Sequence, residues 1–342
     1  MFTRIVRFIL LAAVAAALFV LAWPQAVGLQ NTWVIAQIVS LRGLAVVGAA
    51  GLVLVLLLFS RRGSGRRTIT VLAVLTLLFG VGNAAILLSR GLGTDAAAQA
   101  ASSADSVTVL SWNTLGDAPG AAVIAKLALE ENADVVTLPE TTEEAGIAVA
   151  EAMRAGGRPM WVHTLAFDQV SKARSTTLLI SPDLGDYTVT NEATAGPPGN
   201  TTVLPTVVAS PADGTGPTIV AVHAVAPIEF EMSNWRTDLD WLADQCRNDN
   251  IIMAGDFNAT IDHMSGRSSE AGAVLGNCHD AALSAGAGGI GTWTTKLPAL
   301  LGTPIDHVLT SSNYTVSDMR VIESLDNAGS DHRPVVATVT SR

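Results

Sequence analysis

The sequence predicts an α/β body of stacked sheets covered by helices, preceded by an N-terminal transmembrane helical segment. Three observations predict it: three apolar runs before residue 90, short apolar strands alternating with helix-like stretches from Val107 onward, and polar residues recurring at the strand ends. The composition agrees. Of 342 residues, 49% are hydrophobic and 15% charged, and the mean hydropathy is +0.41. That excludes a disordered polar chain and is too apolar for an ordinary soluble domain. The charge is divided as sharply. Residues 1–104 hold eight Arg, no Lys and one acid (Asp95), a balance of +7; residues 105–342 hold 12 basic and 29 acidic residues, a balance of −17. So acidic a body repels phosphate backbones at long range, which argues against nucleic acid as a partner.

The membrane segment occupies residues 1–90. Its first run, Phe8 to Trp23, is uncharged and follows Arg4 and Arg7. The second has its uncharged core at Gly43 to Phe59, with an approach from Trp33 broken by Gln37 and Arg42. The third, Ile69 to Ser89, has Asn83 as its most polar residue. A span takes about 20 residues, with roughly 17 tolerated, so the second and third fit and the first is marginal. Three transmembrane helices is the reading adopted; a cleaved signal peptide is the alternative for the first run. Arg61, Arg62, Arg66 and Arg67 share one short loop, and the positive-inside rule places it in the cytoplasm. Under either reading, everything after Arg90 then lies on the extracytoplasmic side of the cell membrane. Residues 91–106, rich in Ala, Gly, Ser and Thr, read as a linker, and residues 107–342 as the body. Cys246 and Cys278 are the only cysteines. An oxidising location favours a disulfide between them; two buried thiols are the alternative.

Within the body, the segments Val107–Leu110, Asp134–Leu138, Thr176–Ile180, Val203–Ala209, Ile219–Val222, Ile251–Ala254, Ile305–Leu309 and Pro334–Val339 read as strands. Ala121–Glu131, Glu143–Arg154 and Glu231–Arg247 read as helices from their apolar spacing. Six strands end in, or run closely into, a carboxylate, amide or imidazole. These residues are Asn113, Glu140, His223, the pair Asp256 and Asn258, Asp306, and the pair Asp331 and His332. One such residue is an ordinary turn former or cap. Six at strand ends converge where the ends of two packed sheets meet.

The motifs Gly255-Asp256-Phe257-Asn258 and Ser330-Asp331-His332-Arg333-Pro334, in order with Glu140 and His223, resemble those of the endonuclease/exonuclease/phosphatase superfamily. The resemblance runs from about Val107 to Thr340. The stretch Thr292-Trp293 to Pro304-Ile305-Asp306-His307 resembles bacterial membrane-attached members in particular. It implies a DNase I-like four-layer sandwich, two packed β-sheets flanked by helices, and a Mg²⁺-dependent phosphoric ester hydrolase, with Mn²⁺ as a substitute. It further implies Glu140 as the main metal ligand, supported by Asn113 and Asp331, and His332 as general base with Asp306 holding its ring. Asp256 and Asn258 would orient the nucleophile and phosphate, and His223 would donate to a phosphoryl oxygen. A hard cation takes carboxylate oxygens, and a phosphoester needs its negative charge neutralised before water attacks. The substrate reads as a phosphodiester or phosphomonoester near the membrane, with membrane lipids as partners. A tethered nuclease and a non-catalytic envelope scaffold or sensor are the alternatives. His307 reads as a packing residue on the opposite face of its strand, His263 as a surface histidine, and Trp293 as half-buried beside the cleft. Arg174, Arg236 and Arg333 read as salt-bridge partners of nearby acids.

The topology has a direct test. A periplasmic-type phosphatase fused after Arg342 should be active, and a fluorescent protein that matures only in the cytoplasm should stay dark in the same position. The reverse pattern would refute the orientation.

Overall fold

The computed structural model describes residues 2–59, 65–93, 106–168, 170–190 and 196–342. The chain divides into two compact units, Met1–Arg90 and Gly91–Arg342. In the first, α1 (Phe2–Ala22), α3 (Arg42–Phe59) and α4 (Arg66–Arg90) are long and apolar enough to cross a membrane, and a short α2 (Ile35–Ser40) precedes α3. The marginal first run therefore gains length from the residues before it, Arg4 and Arg7 included. Small residues let α3 and α4 approach: a Cβ on Gly80 would sit 2.9 Å from that of Ala49. The guanidinium of Arg42, buried, donates to Asn83 Oδ1 (2.7 Å) and to the Ala22 carbonyl (3.1 Å), joining the start of α3 to the end of α1 and the interior of α4. Of the four orienting arginines, Arg66 and Arg67 open α4; Arg61 and Arg62 lie outside the described residues.

The second unit opens with Gly91–Gly93, which is held by backbone hydrogen bonds to Gly286 and Gly289; the rest of the predicted linker, residues 94–105, lies outside the described residues. Its chain order is β1 (Ser106–Ser111), α5 (Ala121–Glu130), β2 (Val135–Pro139), α6 (Glu143–Ala155), β3 (Trp161–Ala166), β4 (Ser175–Ile180), β5 (Tyr187–Val189), β6 (Val207–Pro211) and β7 (Thr218–His223). It continues with α7 (Met232–Gln245), β8 (Ile251–Asp256), α8 (Ile261–Met264), β9 (His279–Asp280), α9 (Ala281–Ser284), β10 (Asp306–Thr310), β11 (Tyr314–Val321) and β12 (Val335–Ser341). The strands form two six-stranded sheets, ordered β11-β12-β1-β2-β4-β3 and β5-β6-β7-β8-β10-β9.

Alternation along the strands explains the layering. Val107, Val109, Val135, Leu178 and Ile180 of the first sheet share one core with Val207, Ile219, Ile252, Ala254 and Val308 of the second. Leu110, Val136 and Leu179 point the other way, onto Ile124, Leu127, Val149 and Met153 of α5 and α6. On the outer side of the second sheet, Met253 meets Cys246 just past the end of α7. Local sequence sets the helix ends. Thr142 caps α6 by accepting from the Ala145 amide, Glu143 and Glu144 follow in its first turn, and Arg154 stands in its last.

Four strands go beyond the eight that the pattern indicates: β3, β5, β9 and β11. All four lie at sheet edges and β5 and β9 are very short, so they carry little of the buried alternation that marks a strand in sequence. The strand expected from Val203 begins only at Val207, because Pro205 has no amide to give to a ladder. His263 is a correction. It is buried at the third position of α8, where its Nδ1 accepts from the Thr260 amide at 2.9 Å and its ring stands edge-on to Trp235. The run Thr260-Ile261-Asp262-His263 is a capping box with His in the usual Glu or Gln place.

Cys246 and Cys278 form a disulfide, Cα atoms 5.5 Å apart, closing a separation of 32 residues. His307, on the face of β10 opposite Asp306, donates from Nδ1 to Asp280 Oδ2 (2.7 Å) and from Nε2 to the Ala259 carbonyl (2.9 Å). Two acceptors on two ring nitrogens define an imidazolium. Burial opposes that charge, but the hydrogen bond and charge of Asp280 outweigh it and raise the ring above its usual 6.5.

Two stability predictions follow from these contacts. Replacing both cysteines by Ser should lower unfolding stability by about 3–4 kcal/mol, the loop-entropy value for this separation, read by denaturant unfolding of the detergent-solubilised chain. His307→Gln should cost about 3–5 kcal/mol by stranding Asp280. The wild-type advantage over that variant should be full below pH ~6.5 and decline as pH rises through the elevated folded-state value, since the native state holds the extra proton. A pH-independent difference would refute the imidazolium assignment.

Candidate active site

Strand register builds the site. β7 and β8 are parallel with His223 opposite Asp256, and β8 and β10 are antiparallel with Asp256 opposite Asp306, so three site residues stand in one row across the second sheet. Parallel β1 and β2 do the same in the first sheet. Their ladder continues past the end of β1 through Trp112 N to Thr137 O and Thr114 N to Pro139 O, 3.0 Å each, which sets Asn113 beside Glu140. β12 runs antiparallel to β1, so Asp331 and His332 arrive at the same end just before it starts. Gly255 lets β7 and β8 lie this close, since a Cβ there would overlap the Val222 backbone.

Hydrogen bonds link the row into one array. Asn113 Nδ2 donates to Glu140 Oε1 (3.1 Å) and Asp256 Oδ2 (3.0 Å). Asp256 Oδ1 accepts from the Asn258 amide (2.8 Å), and its Oδ2 also accepts from Asn258 Nδ2 (3.2 Å), which reaches the Ala224 carbonyl as well (2.9 Å). His332 Nδ1 lies 2.9 Å from Asp306 Oδ2, while its Nε2 lies 3.8 Å from Asp256 Oδ2. His223 Nε2 lies 4.0 Å from Glu140 Oε1. Glu140 and Asn258 both hold left-handed backbone, φ 57° and 47°, a conformation that non-glycine residues keep only where their surroundings enforce it. For Glu140 part of that enforcement is Thr114, whose hydroxyl donates to its carbonyl at 2.9 Å.

The electrostatics are those of buried carboxylates with little positive charge. Burial pushes Glu140 up, and the Asn113 hydrogen bond only partly offsets it. Burial likewise raises Asp256, helped by the charge of Asp306. Burial alone would lower His332; the carboxylates of Asp306 and Asp256 outweigh it and raise the imidazole. His223 is pushed down to about 3, chiefly by burial and further by the charge of His332, so it is neutral.

These residues also pass a test for holding a hard cation. Asp306 Oδ1 and Asp331 Oδ1 are buried with no hydrogen-bond partner, and ligand atoms of Asp256, Asp306 and His332 lie within 4.8 Å of one another. An excess of oxygen donors with unmet lone pairs is what a divalent cation of the Mg²⁺ type takes.

All eight residues singled out in sequence lie at these strand ends. Asp331 stands at the rim, its Oδ2 accepting from Trp293 Nε1 at 3.0 Å, and Trp293 is 37% exposed. Sequence reasoning missed the supports. Ser330 donates to the Asn113 carbonyl (2.6 Å) and accepts from the His332 amide (3.0 Å); Trp112 Nε1 donates to the His332 carbonyl (2.9 Å). Thr292 Oγ1 accepts from the amides of Ile305 and Asp306, both at 3.1 Å. The available signal was adjacency: each of Ser330, Trp112 and Thr292 lies within, or next to, a motif already noted. Arg333 is fully buried, paired with Asp326 (2.7 Å) as expected, and also donates to the carbonyls of Gly291, Thr294 and Leu297. It thereby fixes the loop that carries Trp293. Arg174 reaches the carbonyls of Thr202 and Val203 and stands 3.9 Å from Asp168.

Comparison with known proteins agrees. The model of the Endonuclease/Exonuclease/phosphatase family matches residues 110–332. Two solved structures align at a TM-score of 0.50. One is the endonuclease/exonuclease/phosphatase from Bacteroides vulgatus, at 14% identity over 69% of this chain and 99% of that one. The other is a family protein from Leptotrichia buccalis C-1013-b, at 13% identity over 68% and 99%. A mannosyl-6-phosphatase of Bacteroides thetaiotaomicron VPI-5482 aligns at 0.47, with 16% identity over 68% and 99%. No curated protein matches the chain in sequence. Two mixed β-sheets flanked by helices are the DNase I-like architecture these structures share.

Proposed function

The chain belongs to the endonuclease/exonuclease/phosphatase family, whose members hydrolyse phosphoesters, and from that premise we propose a membrane-anchored, extracytoplasmic, Mg²⁺-dependent phosphoesterase. Its substrate on this reading is a phosphodiester or phosphomonoester of a lipid headgroup or an envelope polymer. The observation that carries the reading is the His332–Asp306 pair, with Nδ1 engaged and Nε2 directed toward the array of Asp256, Asn113 and Glu140.

Asp306 fixes the ring; a bound cation would offset the carboxylate charge that raises His332, and the ring, once neutral, would take the proton of the attacking water at Nε2 while Asp306 stabilises the imidazolium that forms. Neutral His223 donates a hydrogen bond to a phosphoryl oxygen. Asp256, locked by three N–H donors, orients the water with Asn258. Glu140, with Asn113 and Asp331, would hold the cation, since Asp331 Oδ1 has no hydrogen-bond partner and Glu140 receives only the Asn113 amide, while Asp306 Oδ2 is engaged by His332. The bound cation supplies charge neutralisation at the phosphate. The acidic body favours this reading over a tethered nuclease.

Point variants separate the roles. His332→Ala should lower turnover of a phosphodiester about 10²–10⁴-fold, and no Mg²⁺ concentration should restore it. Glu140→Gln should lose activity that raised Mg²⁺ or added Mn²⁺ partly returns. Asp306→Asn should slow the same step, and combining it with His332→Ala should add little. Near-normal turnover by His332→Ala at saturating Mg²⁺ would overturn the dyad. Wild-type rates from all variants on every phosphoester tried would return the chain to a scaffold role.

A further inference from the structure

The body buries most of its large apolar side chains, yet several stand exposed in the loops that follow the site strands. Phe230 is 90% exposed and Ile228 57%, and both lie in the turn between His223 and α7. Leu115, two residues after Asn113, is held in left-handed backbone (φ 50°) with its amide bonded to Asn113 Oδ1, and its side chain is exposed. Trp293 stands over Asp331. Val170 is exposed in the β3–β4 loop, which Lys172 ties to Asp117 beside Leu115 at 3.0 Å. Ile147, Trp161 and Leu300 are exposed as well, but Leu115, Val170, Ile228, Phe230 and Trp293 stand in loops that follow or flank the site strands.

These loops have an anchor that fixes their position on the body. Asp238 of α7 accepts from the amides of Val225 and Thr201, and Trp235 Nε1 donates to the Asn258 carbonyl, so the turn that carries Ile228 and Phe230 is pinned beside the site. The charge around the tips narrows the occupant. Phe230 sits between Glu229 and Glu231, and Asp117 and Asp168 flank the neighbouring loops. An anionic surface would be repelled, so would a nucleic acid, and a surface of zwitterionic lipid would not. On the membrane-anchored reading the body's own chain tethers it to the bilayer, which is then present at high effective concentration, so a modest apolar contact suffices to dock.

We propose that Leu115, Val170, Ile228, Phe230 and Trp293 form an apolar rim that seats the mouth of the site on a zwitterionic lipid surface. This rests on the reading of a membrane-borne phosphoester substrate and makes it specific: the enzyme takes phosphoesters presented at the lipid–water interface in preference to the same bond free in solution.

The test uses the full chain reconstituted in phosphatidylcholine bilayers, with and without brominated acyl chains. Phe230→Trp should add a fluorescence component, taken as the difference from wild type, that brominated lipid quenches by about half or more. Ile147→Trp, an exposed position on α6, should add one that is not quenched. Equal behaviour of the two would overturn the rim. In parallel, Ile228→Ser/Phe230→Ser should turn over a phosphodiester embedded in the bilayer about tenfold more slowly, the loss expected from withdrawing one well-buried aromatic ring. The same variant should hydrolyse a water-soluble phosphodiester at the wild-type rate. Equal losses on both substrates would also refute the proposal. So would an absence of quenching accompanied by a dimer that the double substitution dissociates, since the rim would then face a second copy. If wild type hydrolyses neither substrate, the phosphoesterase reading fails, while the quenching comparison still decides the docking.

Discussion

The concentration of negative charge at one end of the body governs its other features. Four carboxylates, Glu140, Asp256, Asp306 and Asp331, reach a cleft in which two of the four are almost wholly buried. Burying even one ionised carboxylate costs several kcal/mol unless donors or a cation compensate. Much of the surrounding structure does that compensating. Asn113 divides its two amide hydrogens between Glu140 and Asp256, Asn258 gives Asp256 both backbone and side-chain N–H, and His332 stands between Asp306 and Asp256. What remains unmet, one oxygen each on Asp306 and Asp331, is the kind of demand that a divalent cation and its waters would satisfy.

Sheet pairing is the device that brings these charges together in spite of their repulsion. Had β7 and β8 paired antiparallel, His223 and Asp256 would end at opposite edges of the sheet. Their parallel pairing, and the parallel pairing of β1 with β2, need the crossovers that α7 and α5 supply. The helices thus do two jobs: they bury the outer faces of the sheets and set strand direction. The core between the sheets, small and β-branched on both sides, then holds the two rows of strand ends against each other.

The strand ends were legible in sequence because each motif couples a buried apolar run to a polar residue that a strand interior would not tolerate. That grammar identified every residue of the array. It left out the edge strands, whose pairing depends on distant partners: β11 lies on β12, and β9 on β10. It also misplaced His263 at the surface, because a histidine that caps its own helix looks in sequence like any polar residue after a turn. The second layer of supports was hidden for a related reason. Ser330, Trp112 and Thr292 act through backbone groups of other segments, and a backbone carbonyl or amide leaves no mark on the sequence of its partner.

Two adjacent residues of β10 show what separates a structural histidine–carboxylate pair from one that is reactive on the proposed reading. His307 and Asp306 point to opposite faces, and each belongs to a buried imidazole–carboxylate contact under 3 Å. In the His307 pair both ring nitrogens are met, one by Asp280 and the other by the Ala259 carbonyl, so the proton on each is held by an acceptor it cannot leave. In the Asp306 pair only His332 Nδ1 is met; Nε2 has Asp256 at 3.8 Å, too long for a hydrogen bond. Burial, partner type and strand are the same. The difference is that Nε2 of His332 faces the carboxylates of the cleft, where Nε2 of His307 faces a backbone carbonyl. On the phosphoesterase reading, that nitrogen is where the body's rigid support is directed. Ser330, Trp112 and Thr292 all brace the backbone of the dyad, and Arg333 braces the loop beside it.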